Sequence, residues 1–173
     1  MKETNKNNTA NSRTKLKRLC AAALFAALIY IATGVLPRLP IGAGYVHMGD
    51  AFVYLCGALL PPVYSVPAAA IGAGLADLSA GYAQWIPATV IIKGLSAVLF
   101  YGGKAVSRKK IIASLIAAVI CVGGYFLFEA VIFGSLAAPL ASVVGNIFQS
   151  LFSALLYFAL AAAVDKTGIN RKL

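Results

Sequence analysis

The stretch Gly44-Tyr-Val-His-Met-Gly-Asp50 leads directly into the apolar run Ala51 to Leu60, and the rest of the chain is organised around this junction. It contains the only histidine of the chain, two glycines and a carboxylate. A charge beside a membrane-length apolar segment is costly, and it is kept where it has a partner or a function. We therefore expect a ligand site, if the chain has one, to be built here.

The composition is that of an integral membrane protein. Of the 173 residues, 61% are hydrophobic and only 12% are charged, whereas soluble domains are about half apolar and a quarter charged. At about 20 residues per span, the apolar part after residue 18 predicts an all-α domain of six transmembrane helices. The net charge of +10 could indicate nucleic-acid binding, but the basic residues flank apolar runs, as they do in membrane proteins. We therefore expect a lipid bilayer and no nucleic acid as a partner.

The distribution of charge divides the chain into three segments. Residues 1–14 are polar and predict a disordered cytoplasmic tail, residues 15–165 predict the six-helix membrane domain, and residues 166–173 predict a basic cytoplasmic tail. Six Lys or Arg residues precede helix 1, four lie between helices 4 and 5, and three follow helix 6. Because basic segments stay on the cytoplasmic side, both termini are predicted to be cytoplasmic. The six helices are predicted over about residues 19–36, 49–60, 66–80, 88–103, 111–133 and 139–164, with a glycine-containing loop over 38–48.

This topology places the isolated polar groups in the outer half of the membrane. One interpretation is that Lys93 pairs with Asp77 or Glu129 and only holds the bundle together. The other is a cavity that opens to the outside, and the one-sided clustering favours it, because ionisable groups within a membrane are functional candidates. For His47, hydrogen bonding within the loop is favoured over a ligand role. The predicted substrate-binding residues are Tyr45, His47, Asp50, Asp77, Gln84, Trp85, Lys93, Glu129, Asn146 and Gln149, with Tyr82 and Tyr125 as further aromatic wall residues.

Known catalytic patterns are absent from the sequence. It contains no G-x-S-x-G, no HExxH and no Walker A sequence, and no second histidine to complete a relay or a metal cluster. The three cysteines are scattered within apolar runs and form no CxxC pattern. We therefore expect no enzymatic activity, no metal and no cofactor.

Helix 1 carries two pairs of small residues at a spacing of four. Small residues at this spacing let another helix approach closely in lipid. The partner could be a helix of another subunit or a helix of the same bundle. The candidate interface residues are Ala22 and Ala26, with Ala23 and Ala27 as the alternative register.

Five short motifs follow one another along the chain. They are Leu19-Cys-Ala-Ala-Ala-Leu-Phe-Ala-Ala-Leu28, His47-Met-Gly-Asp50, Gly57-Ala-Leu-Leu-Pro-Pro62, Ile71-Gly-Ala-Gly-Leu-Ala-Asp77 and Pro87-Ala-Thr-Val-Ile-Ile-Lys-Gly94. In this order and spacing they resemble the substrate-binding S components of energy-coupling factor (ECF) vitamin transporters of prokaryotes. The resemblance covers residues 15 to about 165, and no motif is specific alone.

The resemblance implies a multi-pass protein of the cell membrane that binds a vitamin near its outer face. It implies that the loop over residues 38–48 closes over the site. It also implies that the small residues of helix 1 dock onto a transmembrane coupling subunit driven by two cytoplasmic ATPases.

The charges near the predicted site favour one class of vitamin without identifying the compound. Three acids face Lys93 and Arg38, an excess that favours a neutral or cationic ligand, and the aromatic residues suit a flat heteroaromatic ring. A pyridoxine-, pyrimidine- or thiamine-like compound is favoured, with riboflavin next. A small structural or assembly protein and a membrane enzyme without a known motif remain the alternatives.

Overall fold

Six α-helices and one short β-hairpin make up the described part of the chain, residues 2–41 and 44–167 of a computed structural model. The hairpin pairs strand β1 (Leu39–Ile41) with strand β2 (Gly44–Val46) in antiparallel register. Segments of α1, α5 and α6 are long and apolar enough to cross a membrane, which agrees with a helical membrane protein. The helices are α1 (Lys2–Tyr30), α2 (Gly49–Leu59), α3 (Pro62–Ser79), α4 (Ile86–Leu99), α5 (Arg108–Phe133) and α6 (Leu140–Thr167).

Prolines set two of the helix starts. α2 ends at Leu59, and Pro62 opens α3, because the fixed φ of proline suits the first helical turn, where its missing N–H is not needed. α3 therefore begins earlier than the residue 66 that we predicted. α4 begins at Ile86, with Pro87 in its first turn, for the same reason.

The polar segment before the first apolar run is helical. A disordered tail is predicted for residues 1–14, whereas α1 begins at Lys2. No Gly or Pro interrupts residues 2–30, and extending an existing helix costs far less than nucleating one. The helix ends in one π-helical turn, Ile31–Val35. The predicted C-terminal tail lies outside the described residues from residue 168 onward.

The segment between α1 and α2 is more ordered than the predicted loop. Leu39 pairs with Val46 and Ile41 pairs with Gly44, which makes a two-stranded hairpin. The β-branched side chains of Ile41 and Val46 favour extended backbone. The strands are only three residues each, too short for an alternating pattern to be visible in the sequence.

Glycines bring the helices into close contact in the middle of the bundle. A Cβ on Gly72 of α3 would lie 2.5 Å from the carbonyl oxygen of Ala26 in α1, and a Cβ on Gly57 of α2 would collide with the Ala97 carbonyl of α4. Without a hydrophobic force between helices in lipid, such close packing is what holds them together. α2 is thereby placed directly against α4.

The end of the bundle away from the hairpin is closed by buried aromatic and basic side chains. The rings of Tyr54 and Phe100 stack at 4.3 Å. Lys110 donates to the carbonyls of Phe100 and Gly102 at the end of α4, and the Tyr157 hydroxyl donates to the carbonyl oxygen of Ala105 at 2.6 Å. These bonds fix the connection between α4 and α5, so the open cavity of the bundle lies at the hairpin end.

Candidate functional site

A cavity lies at the end of the bundle that carries the β-hairpin. Its volume is about 460 Å³, a figure that includes open solvent at its mouth. The hairpin and helices α3 to α6 contribute its walls. The lining residues are Ile41, Tyr45, Val46, His47, Asp77, Tyr82, Trp85, Thr89, Tyr125, Glu129, Ser142, Gly145, Asn146 and Gln149.

The hairpin covers the cavity as a lid. From β2, the Tyr45 hydroxyl donates to Asp77 Oδ1 at 2.8 Å, and the Tyr45 ring lies 4.9 Å from that of Tyr82. On the other side, Ile41 and Val46 lie so close to α6 that a Cβ on Gly145 would be 3.1 Å from both side chains. The lid is therefore fastened to α3 by a hydrogen bond and to α6 by packing.

Two carboxylates of the cavity lining, Asp77 on α3 and Glu129 on α5, are held in the same way. Asp77 accepts the Tyr45 hydroxyl, and Glu129 Oε1 accepts Trp85 Nε1 at 3.3 Å. The second oxygens, Asp77 Oδ2 and Glu129 Oε2, are buried without a hydrogen-bond partner. Among the described lining residues there is no Lys or Arg, so the cavity presents acceptors rather than positive charge.

An ion pair lies beneath the floor of the cavity. Lys93 Nζ is 2.7 Å from Asp50 Oδ1, and the two side chains are 1% and 2% exposed. The ammonium also lies 5.3 Å from the centre of the Tyr125 ring, where a cation is attracted to the aromatic face. The sequence suggested Asp77 or Glu129 as the partner of Lys93. That pairing is wrong, because the close packing of α2 against α4 brings Asp50 to Lys93.

Gln149 connects this ion pair to the lid. Its Nε2 donates to Asp50 Oδ2 at 3.0 Å, and its Oε1 accepts the backbone N–H of His47 at 3.1 Å. The His47 Nδ1 in turn accepts the Gly49 N–H at 3.0 Å, which is the hydrogen bonding within the loop that we predicted for this residue. Burial lowers the pKa of His47 to about 4, even though the nearby Asp50 raises it. His47 is therefore neutral at physiological pH while the lid is closed.

Most of the chain matches one known protein family. A family model described as ECF-type riboflavin transporter, S component, matches residues 13–166. The chain belongs to this family. The resemblance found in the sequence motifs is thus confirmed, and the protein is a membrane-embedded transporter component and not an enzyme.

The fold of this S component is also that of a solved relative. The structure of the S component of a bacterial ECF transporter matches with a TM-score of 0.67 and 16% sequence identity, over 88% of this chain and 98% of that chain. At this identity the likeness establishes the fold. No curated protein sequence matches the chain.

The S component brings most of the predicted site residues to one cavity. Asp50 and Lys93 do not line it, because they form the ion pair below it. Gln84 is exposed and is not among the residues that line the cavity. The predicted residues that do line the cavity are Tyr45, His47, Asp77, Trp85, Glu129, Asn146 and Gln149.

Two polar lining residues were missed in the sequence. Ser142 lies on α6, four residues before Asn146 and seven before Gln149, which is the spacing of one helix face. Thr89 lies four residues before Lys93 on α4, and its hydroxyl is 2.9 Å from that of Tyr125. Each of them lies four residues before a predicted site residue on the same helix, and this spacing could have identified both from the sequence.

The two registers of small residues on α1 lie in different surroundings. Ala22 is 7% exposed and belongs to the core, and Ala26 packs against α3 at Gly72. Ala23 and Ala27 are exposed. The first register therefore packs within the S component itself, and only the second leaves a surface that another helix could reach.

Proposed function

We propose that this S component captures a flat, water-soluble heteroaromatic vitamin at the outer face of the membrane. It then delivers the vitamin inward together with a coupling subunit and two cytoplasmic ATPases. The observation that carries the proposal is the lidded cavity, whose walls combine the rings of Tyr45, Tyr82 and Trp85 with the carboxylates of Asp77 and Glu129. Aromatic walls with a few fixed polar groups are typical of sites for flat ligands.

Two lines of argument support different members of this ligand class. The name of the family supports riboflavin. The excess of acid over base in the cavity supports pyridoxine-, pyrimidine- or thiamine-like compounds, and riboflavin is also compatible because it is uncharged. All of these have a ring that can lie against the aromatic walls.

The experiment is to identify what the purified protein carries. The S component is purified in detergent, and the released small molecules are identified by mass spectrometry. Riboflavin, thiamine, pyridoxine and hydroxymethylpyrimidine are then titrated by calorimetry. One compound should bind saturably and be recovered unchanged. The absence of saturable binding would favour a structural or assembly role, and a chemically altered product would favour an enzyme.

The proposed topology has six membrane spans with both termini in the cytoplasm. It is supported by the basic connection between α4 and α5, which lies at the end of the bundle away from the cavity. An engineered cysteine at Gln84 should react with an impermeant reagent added from outside, whereas one at Arg108 should not. The opposite pattern would invert the protein and place the cavity on the cytoplasmic side.

The proposed surface for the coupling subunit is the exposed register of α1. Replacing Ala27 by Trp should abolish uptake into cells that contain the coupling module and leave ligand binding intact, because an indole prevents close helix approach. Ala26→Trp is the matched control. It should impair folding and binding together, because Ala26 packs against Gly72. Normal uptake by Ala27→Trp would remove this surface from the interface.

A further inference from the structure

Asp77 and Glu129 share one unusual arrangement. Each carboxylate is oriented by an aromatic residue, since Tyr45 donates to Asp77 Oδ1 at 2.8 Å and Trp85 donates to Glu129 Oε1 at 3.3 Å. The two side chains are 5% and 2% exposed, and each retains one oxygen without a hydrogen-bond partner. Each acid is therefore held by one hydrogen bond and keeps one buried oxygen without a donor, in a residue that lines the cavity.

In this structure the second oxygens of both acids have no hydrogen bond. The Thr89 hydroxyl, 2.9 Å from that of Tyr125, also lies near the Asp77 carboxylate and is an alternative donor to it. Lys93, the buried cation next to the cavity floor, is paired with Asp50. A buried carboxylate oxygen without a donor is unfavourable, so a ligand that brings donors gains affinity from both acids.

We propose that Asp77 and Glu129 act as a pair of acceptors that selects a neutral or cationic ligand with hydrogen-bond donors and rejects the phosphorylated form of the same compound. This rests on the proposed vitamin-binding function and adds a rule for selectivity. A phosphate group brought into the cavity would face two carboxylates where water screens charge poorly. A ring N–H, an amino group or a sugar hydroxyl would complete the two hydrogen bonds, and the faces of the aromatic walls also attract a cation.

Arg38 carries a positive charge next to the lid, and this charge would favour an anionic ligand and so oppose the selection. Its guanidinium carbon lies 5.2 Å from the centre of the Tyr45 ring, and its Nη1 is buried without a hydrogen-bond partner. It does not line the cavity. An anionic ligand that reached the lid could nevertheless use it, so its contribution has to be separated from that of the acids.

The test compares each vitamin with its own phosphate ester on the purified full-length chain. The pairs are riboflavin with flavin mononucleotide, thiamine with thiamine monophosphate, and pyridoxine with pyridoxine phosphate, and dissociation constants are measured by calorimetry. The compound that binds should lose about 100-fold or more in affinity when phosphorylated. Asp77→Asn and Glu129→Gln should each weaken binding of the free vitamin by about 10- to 100-fold, as expected for a lost hydrogen bond to a charged group. Both changes should also reduce the penalty on the phosphate ester.

Two further variants, Gln84→Ala and Arg38→Gln, separate the contribution of the two acids from other effects on binding. Gln84→Ala is the matched control, since Gln84 is exposed outside the cavity, and it should bind like the wild type. A phosphate ester that binds as tightly as the free vitamin, and loses this affinity in Arg38→Gln, would overturn the selection. Unchanged affinity in both acid variants would overturn it as well. If one acid variant does not fold, the other acid variant and the wild-type comparison still decide.

The proposed function fails in a different way from the selectivity rule. If neither these six compounds nor hydroxymethylpyrimidine binds saturably to the wild type, the proposed vitamin binding is contradicted, and the selectivity rule with it. If a free vitamin binds and its ester binds equally well, only the rule is contradicted.

Discussion

Asp50 and Asp77 are both buried aspartates at the hairpin end of this S component, but the protein treats their charges differently. Asp50 lies below the cavity, 2.7 Å from Lys93, and accepts a further hydrogen bond from Gln149. Asp77 lies in the cavity wall, and no cation within the described part of the chain is paired with it. The first charge is thus satisfied by the fold, whereas the second keeps an unpaired oxygen, which we propose is completed by a ligand.

Removing the cation that pairs with Asp50 is expected to have the largest effect on the stability of the protein. Lys93→Met leaves Asp50 buried and uncompensated, and we expect the free energy of unfolding to fall by about 3–5 kcal/mol. Unfolding of the detergent-solubilised protein, followed by its tryptophan fluorescence, measures the loss. The double variant Asp50→Asn/Lys93→Met is the control and should recover most of the stability, because a buried ion pair can often be replaced by neutral groups. Equal losses in the single and double variants would show that the packing of the lysine chain matters and its charge does not.

The sequence predicted which polar residues gather at this end but not which of them pair. Helix order and the rise per residue give the depth of a side chain in the membrane. They do not give the direction in which it points around the helix axis. That direction depends on packing, here on the contact of Gly57 with Ala97 that places α2 against α4. The pairing of Lys93 with Asp50 therefore could not be read from the chain.

Other parts of the site were hidden for different reasons. Ser142 is a small residue of a kind common in membrane helices, and only its spacing from Asn146 marks it. The lid was predicted as a loop because strands of three residues carry no visible alternation. The helical membrane fold and the acidic cavity were predictable because composition, charge distribution and isolated carboxylates are properties of the sequence itself.

The same substitution at the two aspartates is expected to change the free energy of unfolding differently. Asp77→Asn keeps an oxygen to accept the Tyr45 hydroxyl and removes an unpaired buried charge. We expect the unfolding free energy without ligand to stay the same or rise by up to about 1 kcal/mol. Asp50→Asn is the matched variant and should lower it, since Lys93 is left unpaired. A loss of similar size in both variants would mean that Asp77 also has a partner within the protein.

The smallest expected effect concerns His47, which connects the ion-paired floor to the lid. Its pKa is about 4 in this structure, and it would be near the ordinary value of about 6.5 in a state whose hairpin has opened into water. As the pH falls below about 6.5 the open state binds a proton that the closed state excludes, so closure is fully favoured above that pH and is progressively lost toward pH 4. Ligand affinity at about pH 6 should be about fourfold weaker than at pH 7.5, or about 0.8 kcal/mol.

The variant that isolates this effect is His47→Asn. The asparagine side-chain oxygen can accept the Gly49 N–H in place of His47 Nδ1, but it does not titrate. Calorimetric titrations of the two proteins between about pH 5.5 and pH 7.5 should show a slope for the wild type and a nearly flat line for the variant. A slope that persists in His47→Asn would show that His47 is not the group responsible for the pH dependence, and closure of the lid would then be independent of the protonation of this residue.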